Sequence, residues 1–458
     1  MATNNYELDM TKGSVFKNTV AFAIPLILSS LLQLLYNAAD LVVVSRFSGS
    51  NAMGAVGTTG PITNLIVNIG IGLSIGASVS VAKKYGAKDS PGVFRAVHTS
   101  MLVAVIMGIF LGIFGFFMSE KLIKLMGAPE GEVFDGAVKY MKIIFLGVPA
   151  AIVYNFSASI LRAVGDTKRP LYILACTGIV NVILNLILVI LFHMDVAGVA
   201  IGTIAANYLS AIFAVIILMR SESSYKFIIR QMRIYKQELK EIVKVGLPAG
   251  IQSSFFSISN TLIQSTVNSF GAAAMAGNAA AGNIEGFIYT TMNAFYQATL
   301  TGVSQNYGAK NEKRINKSIY VPAMCVVVMG LCMGLLGVAF SRQLLGIYIT
   351  DSELAMEFGV QRMFTTFLPY FLCGLMEVMT GALRGLGCST ITAVTSFIGA
   401  CGFRVLWVTF ILPLNRVINM LYLCWPISWG VVIIMHLITF AIIRPRAIKR
   451  MKEQADNV

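Results

Sequence analysis

The stretch YNAADLVVV (36–44) sets one carboxylate, Asp40, inside a long apolar run, and no other acidic residue occurs between Asp9 and Asp89. A carboxylate at membrane depth costs several kcal/mol unless it is protonated, paired or wetted. Its natural chemistry is therefore the uptake and release of a proton or a small cation. Three more charges lie in apolar surroundings: Glu285 in AAGNIEGFIYTT, Glu377 in GLMEVMTGALRG and Arg404 in GFRVLW. Nothing suggests an enzyme. The three histidines, 98, 193 and 436, are far apart, and none has a metal-ligand neighbour at helical spacing. No GxxxxGK[ST] loop is present to cradle a nucleotide. The seven cysteines (176, 325, 332, 373, 388, 401 and 424) form no CxxC and fall within or at the ends of apolar segments, as small core hydrophobes do. No catalytic residue, resident metal or cofactor is expected, so any energy must come from an ion gradient, or the process must be passive.

The elements that hold these charges are legible in the composition. Of 458 residues, 56% are hydrophobic and 12% are charged, against about 25% charged in a soluble domain. Apolar runs of roughly 20 residues, each long enough to cross a bilayer, recur along the chain. Reading them between charged or turn-rich breaks predicts twelve spans, near 16–45, 53–82, 94–118, 134–158, 171–193, 197–219, 243–269, 276–304, 318–340, 358–381, 391–413 and 418–443. The polar start MATNNYELDMTKGSVFKNT and the length of the first run argue against a cleaved signal peptide. With both termini on one side, that side collects most of the 35 Lys and Arg residues, including Lys83, Lys84, Lys88, Lys310, Lys313 and Arg314. The positive-inside rule then sets both termini in the cytoplasm. The net charge of +14 follows from this topology and from attraction to anionic headgroups, and needs no nucleic acid.

The chain repeats itself. At an offset of 222 or 223 residues, Pro25 falls on Pro248, YGAK (85–88) on YGAK (307–310), LRAVG (161–165) on LRGLG (383–387), and Gly108, Gly112 and Gly115 on Gly330, Gly334 and Gly337. The expected organisation is an N-terminal six-helix bundle (1–219), a basic cytoplasmic linker helix (220–242), a C-terminal six-helix bundle (243–443) and a cytoplasmic tail (444–458). Parallel repeats of this kind are related by an axis along the membrane normal, with substrate bound between them.

The Pro25 helix with YNAAD, the YGAK loops, and LRAVGDTKRP (161–170) with its echo LRGLGCSTI (383–391) resemble the multidrug and toxic compound extrusion (MATE) family over nearly the whole chain. The resemblance is nearer to the DinF-like and MepA-like bacterial branch. It implies an all-α polytopic fold, a V-shaped pair of six-helix bundles, and efflux of small amphipathic or cationic compounds in exchange for H⁺ or Na⁺. It implies an ion-coupling site of Asp40, Asn181, Asn185 and Thr203 with Tyr36 nearby, and a hinge at Pro25. Asn185 stands where the branch carries a second carboxylate, which favours protons over Na⁺ at Asp40. The positions that carry acids in the NorM-like branch read Phe256 and Cys373 here.

Gln33, Asn37, Gln252, Glu285, Glu377 and Arg404 are the substrate-cavity candidates. Glu285 and Arg404 lie at similar depth, roughly 12–15 Å in at 1.5 Å per residue, and are expected to share a polar cluster. Arg404 is read as the one deep basic residue. The expected partners are organic cations, H⁺ or Na⁺ and the lipid bilayer, with no nucleic acid, and the expected state is a monomer in a bacterial-type cytoplasmic (inner) membrane. A lipid-linked precursor flippase of the related superfamily is the alternative. The position matching Asp40 in the second half is Ile263: the scaffold is duplicated and the carboxylate is not.

Overall fold

A computed structural model describes residues 6–47, 49–125, 131–350 and 352–456. Among them no strand occurs. The helices are α1 (Val15–Phe47), α2 (Gly49–Gly86), α3 (Ser90–Leu125), α4 (Glu132–Ala163), α5 (Lys168–Leu186), α6 (Asp195–Arg220), α7 (Lys236–Asn268), α8 (Ala272–Gly308), α9 (Glu312–Ala339), the short α10 (Ser341–Leu345), α11 (Glu353–Phe367), α12 (Tyr370–Gly385), α13 (Ser389–Ser396), α14 (Phe403–Leu406), α15 (Ile418–Tyr422) and α16 (Cys424–Asp456). Helix α5 continues into a π-helical turn, Ile187–Leu191, and two more, Phe397–Gly402 and Trp407–Ile411, flank α14.

Among the described residues, nine helical stretches are long and apolar enough to cross a membrane, and the pair α11–α12, bent by 47°, makes a tenth. The bend falls at Pro369, where the helix loses a backbone donor. The remaining expected spans are α7 and α8, which are long but polar. Helix α7 carries Gln252, Ser253, Ser254, Ser257, Ser259 and Asn260, and α8 carries Asn278, Asn283, Glu285, Asn293 and Gln297.

The chain divides by contact into two compact units, one of Met1–Asp9 and Leu28–Ser254, the other of Met10–Ile27 and Phe255–Val458. The division therefore falls inside α1 and inside α7. In unit 1, the first half of α7 is held on α2 by glycine contact: a Cβ on Gly72 would stand 2.2 Å from the Gly250 nitrogen, and one on Gly76 2.1 Å from the Ile242 oxygen. Small residues at such crossings let helix backbones approach closely. Lys84 Nζ and Ser80 Oγ both donate to Glu241 Oε2 at 2.7 Å. Glu7 accepts from Tyr85, Ser223 and Tyr225, which pins residues near the N-terminus to the same unit. In unit 2, Arg314 donates to the carbonyls of Met10, Lys12 and Gly13, and Met10 N–H donates to Gln305 Oε1 at 2.9 Å.

The repeat extends to backbone detail. Gly115 meets the ring of Phe145 and Gly337 the ring of Phe367; Gly112 faces the Phe145 oxygen and Gly334 the Phe367 oxygen. Gly165 (φ 88) and Gly387 (φ 90) end α4 and α12 in the left-handed region, and Lys88 and Lys310 both sit at φ 56. In each case the next amide reaches back five residues (Asp166 to Leu161, Cys388 to Leu383, Asp89 to Lys84, Asn311 to Asn306). That is the left-handed cap that satisfies orphan carbonyls at a helix end.

The linker corrects an expectation. Residues 221–235 contain only a short 3-10 turn, Ile229–Gln231, and helix resumes at Lys236. Polar groups on α3 satisfy this backbone instead: Ile228 N–H donates to His98 Nε2 at 3.0 Å and Tyr235 N–H to Thr99 Oγ1 at 3.2 Å. Helix α16 runs unbroken to Asp456, so most of the expected tail is helical.

Candidate functional site

In unit 1, α1 carries Asp40 fifteen residues beyond Pro25, and α5 presents Asn181 and Asn185 one turn apart on the same face. Asn185 Nδ2 donates to Asp40 Oδ1 at 2.5 Å. With its amide nitrogen turned to the carboxylate, Asn181 donates to the same oxygen at 2.9 Å and accepts from the Thr203 N–H at 3.3 Å. Thr203, on α6, spends its hydroxyl on the Val199 carbonyl at 2.9 Å. Three helices thus converge on one acid. No basic side chain among the described residues lies within ion-pair distance of it.

Two glycines make the space. A Cβ on Gly202 would lie 2.0 Å from Asn185 Oδ1, and one on Gly178 1.8 Å from the Tyr36 ring. Tyr36 does not reach the carboxylate; its hydroxyl donates to the Ala175 carbonyl at 3.2 Å, so it spaces α1 from α5. Just beyond Asp40, the buried residues Val43, Val44, Val189 and Val199 close the site with an apolar cluster. Asn185 Oδ1 is buried and has no hydrogen-bond partner among the described residues. That oxygen is a ready acceptor beside the acid. The arrangement can hold Asp40 ionised, through two donated amide bonds, or protonated, through the spare amide oxygen.

Of the other candidates on α1 and α7, Gln33 and Asn37 are exposed and Gln252 is buried. Pro25 lies within α1, which continues through it, in the part that belongs to unit 2.

In unit 2, Glu285 and Arg404, expected to share a polar cluster, make no ion pair with each other. Glu285 Oε2 is bonded by Arg362 Nη2, and its Oε1 accepts from the Tyr370 hydroxyl at 3.3 Å. Arg362 is 7% exposed, donates also to the Asn278 carbonyl and side-chain oxygens, and stacks on Trp425. Arg404 is therefore not the only deep basic residue. Arg362 sits inside the expected tenth span, and that position was the signal available for finding it. Arg384 is also buried, donating to the Tyr296 hydroxyl at 2.7 Å. Arg404 itself donates to Asn260 Oδ1 at 3.0 Å and Ser428 Oγ at 3.2 Å. Glu377 lies on α12 one turn from Cys373 and is half-buried.

With this geometry in hand, comparison with known proteins is informative. The MatE family model matches residues 25–187 and again 248–408, so the matches begin at the repeat-related Pro25 and Pro248. The chain is 27% identical to the probable multidrug resistance protein YpnP of Bacillus subtilis, over 83% of this chain and 84% of that one. It is 24% identical to the multidrug export protein MepA of Staphylococcus saprophyticus, over 92% and 91%. Among solved structures, an outward-facing multidrug resistance MATE family transporter of the MOP superfamily matches the fold with a TM-score of 0.87 at 21% identity, over 99% of this chain and all of that one.

Proposed function

This chain belongs to the MatE family, and from that premise we propose that it is a secondary active exporter of small amphipathic, often cationic, compounds, driven by protons returning through Asp40. The observation that carries the reading is the Asp40 cluster: one carboxylate at the meeting point of α1, α5 and α6, bonded only by neutral groups. A salt-bridged acid would be held permanently ionised. One bonded by amides stays free to change state, because an amide offers either a donor or an acceptor.

Proton arrival removes the charge, weakens the two donated bonds and calls on the spare Asn185 oxygen. The contact between α1 and α5 then changes, and α1 is the helix in which the two units divide. A ligand can shift an equilibrium only through unequal affinity for its states; the proton does so by bonding differently to Asn181 and Asn185 in each. Na⁺ is the second reading, favoured by the oxygens of Asp40, Asn181, Asn185 and Thr203 in one place. It would require the two amides to turn their oxygens inward. The chain is read as working singly in a cytoplasmic membrane, with both termini on the inner side.

Purified protein in liposomes, given an outward-directed supply of a fluorescent organic cation such as ethidium, tests this directly. An imposed pH gradient should drive efflux and an imposed Na⁺ gradient should not. Asp40→Asn should abolish the driven component while binding of the dye persists. Wild-type rates in that variant would remove Asp40 from coupling, and a response to Na⁺ alone would replace the proton.

A further inference from the structure

At one position the repeat exchanges an amide of the acid site in unit 1 for a base in unit 2: Arg404 stands where Asn181 stands. Asn260 is the repeat counterpart of Asn37. Arg404 is 2% exposed. Its guanidinium makes two hydrogen bonds, Nε to Ser428 Oγ and Nη1 to Asn260 Oδ1, and lies 6.0 Å from the centre of the Phe256 ring. Both bonded oxygens are neutral. Nη2 makes no hydrogen bond to any described residue.

A buried charge needs a partner, and arginine does not escape by losing its proton. Glu285 is bonded instead by Arg362 and Tyr370 and makes no ion pair with Arg404. Among the described residues Arg404 makes no ion pair, and its two bonded partners carry no charge. Two π-helical turns, Phe397–Gly402 and Trp407–Ile411, bracket Arg404, and such turns gather at functional sites. Asn260, at the edge of the cluster, is exposed, which gives the guanidinium a way out of the core.

We propose that Arg404, Asn260 and Ser428 form an anion site in unit 2, which takes a small monovalent anion, either a halide or the carboxylate of an organic acid. The anion supplies the missing negative charge, bonded by the open Nη2 and Nη1 of Arg404 and by the amide nitrogen of Asn260. The planar fork of the guanidinium suits a carboxylate in particular. The site is independent of proton coupling at Asp40, since its charge is opposite and it belongs to the other unit.

The test uses the full chain in lipid nanodiscs with no gradient and no drug, titrated with bromide or benzoate at constant ionic strength against gluconate. All three tryptophans, 407, 425 and 429, lie in unit 2, and Trp407 is three residues from Arg404, so intrinsic fluorescence reports on the site. The expected result is a saturable change and a rise in melting temperature, because a ligand that binds only the folded form stabilises it. Saturation by both anions assigns the site to charge alone; saturation by benzoate only assigns it to carboxylates. Arg404→Gln should weaken the apparent affinity about 10-fold or more, as expected for loss of a charged hydrogen bond. Asn260→Asp places a carboxylate beside the arginine and should remove the response while raising the melting temperature in gluconate. That second variant keeps the test intact if Arg404→Gln fails to fold. A strictly linear quenching curve in the wild type, or unchanged saturation in Asn260→Asp, overturns the proposal.

Discussion

Unit 1 and unit 2 share a scaffold and oppose each other in charge. Glycines on α3 and α9 meet the same phenylalanines in the same way, Phe145 in one unit and Phe367 in the other. The ends of α4 and α12 close on left-handed glycines whose φ angles differ by two degrees, 88 and 90. Yet inside its spans unit 1 sets one acid, Asp40, among amides, and unit 2 holds Arg362 and Arg404 with Glu285 and Glu377. Close packing tolerates little change of volume, so a duplicated backbone crossing retains its glycine and its ring. A polar cluster is bound by a different rule, that every buried group find a partner, and many sets of residues satisfy it. The comparison shows that duplication fixes shape and leaves chemistry free to diverge.

The most severe way to break the comparison is to force the chemistry of unit 1 on unit 2. Ile263 stands where Asp40 would be, 1% exposed and packed with Val267, Trp407 and Leu421. Ile263→Asp places a carboxylate there with no amide pair to receive it, at a cost of several kcal/mol. No folded protein should be recovered by size-exclusion chromatography, either alone or combined with Asp40→Asn. A folded double variant that still exports would mean that the two positions are interchangeable.

A smaller effect comes from breaking the pair that makes unit 2 distinct. Arg362→Met leaves Glu285 buried with only Tyr370, and removal of one member of a buried pair costs about 3–5 kcal/mol. The double variant Glu285→Gln, Arg362→Met should regain much of that loss in a thermal unfolding assay, since neither charge is then stranded. Equal destabilisation in the single and double variants would show that the two side chains act separately.

The next test sharpens the unit 1 side. Gly202→Ala sets a methyl carbon 2.0 Å from Asn185 Oδ1. Overpacking of this kind costs about 1–3 kcal/mol, and here it also moves Asn185 from the carboxylate. Proton-driven efflux should fall by more than the folded fraction does. A control substitution in unit 2, Gly430→Ala, meets nothing within 4 Å and should leave both readings unchanged.

How much of this was legible in the sequence follows from the same division. The helices were readable because a membrane imposes a composition on them, and the repeat was readable because shape had been retained in Pro25 and Pro248 and in the spaced glycines. Asn181 and Asn185 could be set beside Asp40 because one-turn spacing fixes their face and a family resemblance supplied the neighbouring helix. The partner of Glu285 could not be read. Arg362 and Arg404 both lie at plausible depth, and the choice depends on how α8 crosses a helix pair bent at Pro369. The linker was misread for a related reason. Its basic, apolar-spaced residues suit a helix, but His98 and Thr99, more than a hundred residues earlier, take up its backbone groups.

The smallest predicted effect lies in the loop where the repeat keeps its glycine and changes its next residue, Asp166 in unit 1 and Cys388 in unit 2. Asp166 is fully buried, accepts from the Arg169 N–H at 3.1 Å and lies 3.3 Å from the Arg169 side chain. Burial pushes its carboxyl up to about 6, against the pull of the Arg169 amide and charge, with Glu7 adding repulsion. The folded chain therefore holds this proton more tightly than the unfolded one. The stability it contributes is complete below the ordinary value of 3.8 and is lost as pH rises through about 6. Asp166→Asn removes that dependence. The variant's stability relative to wild type should rise between pH 5 and pH 7 by about 1 kcal/mol, from 1.36 kcal/mol per pKa unit over the part of the shift that falls in this window. Melting temperatures of both proteins at the two pH values give the sign. A variant that instead loses ground as pH rises would mean that the Arg169 pair outweighs burial, and that the loop of unit 1 is stabilised by an ionised acid. In that case Asp166 would be a fixed structural charge like Glu241 on its lysine, and the one acid of unit 1 set among neutral donors would be Asp40.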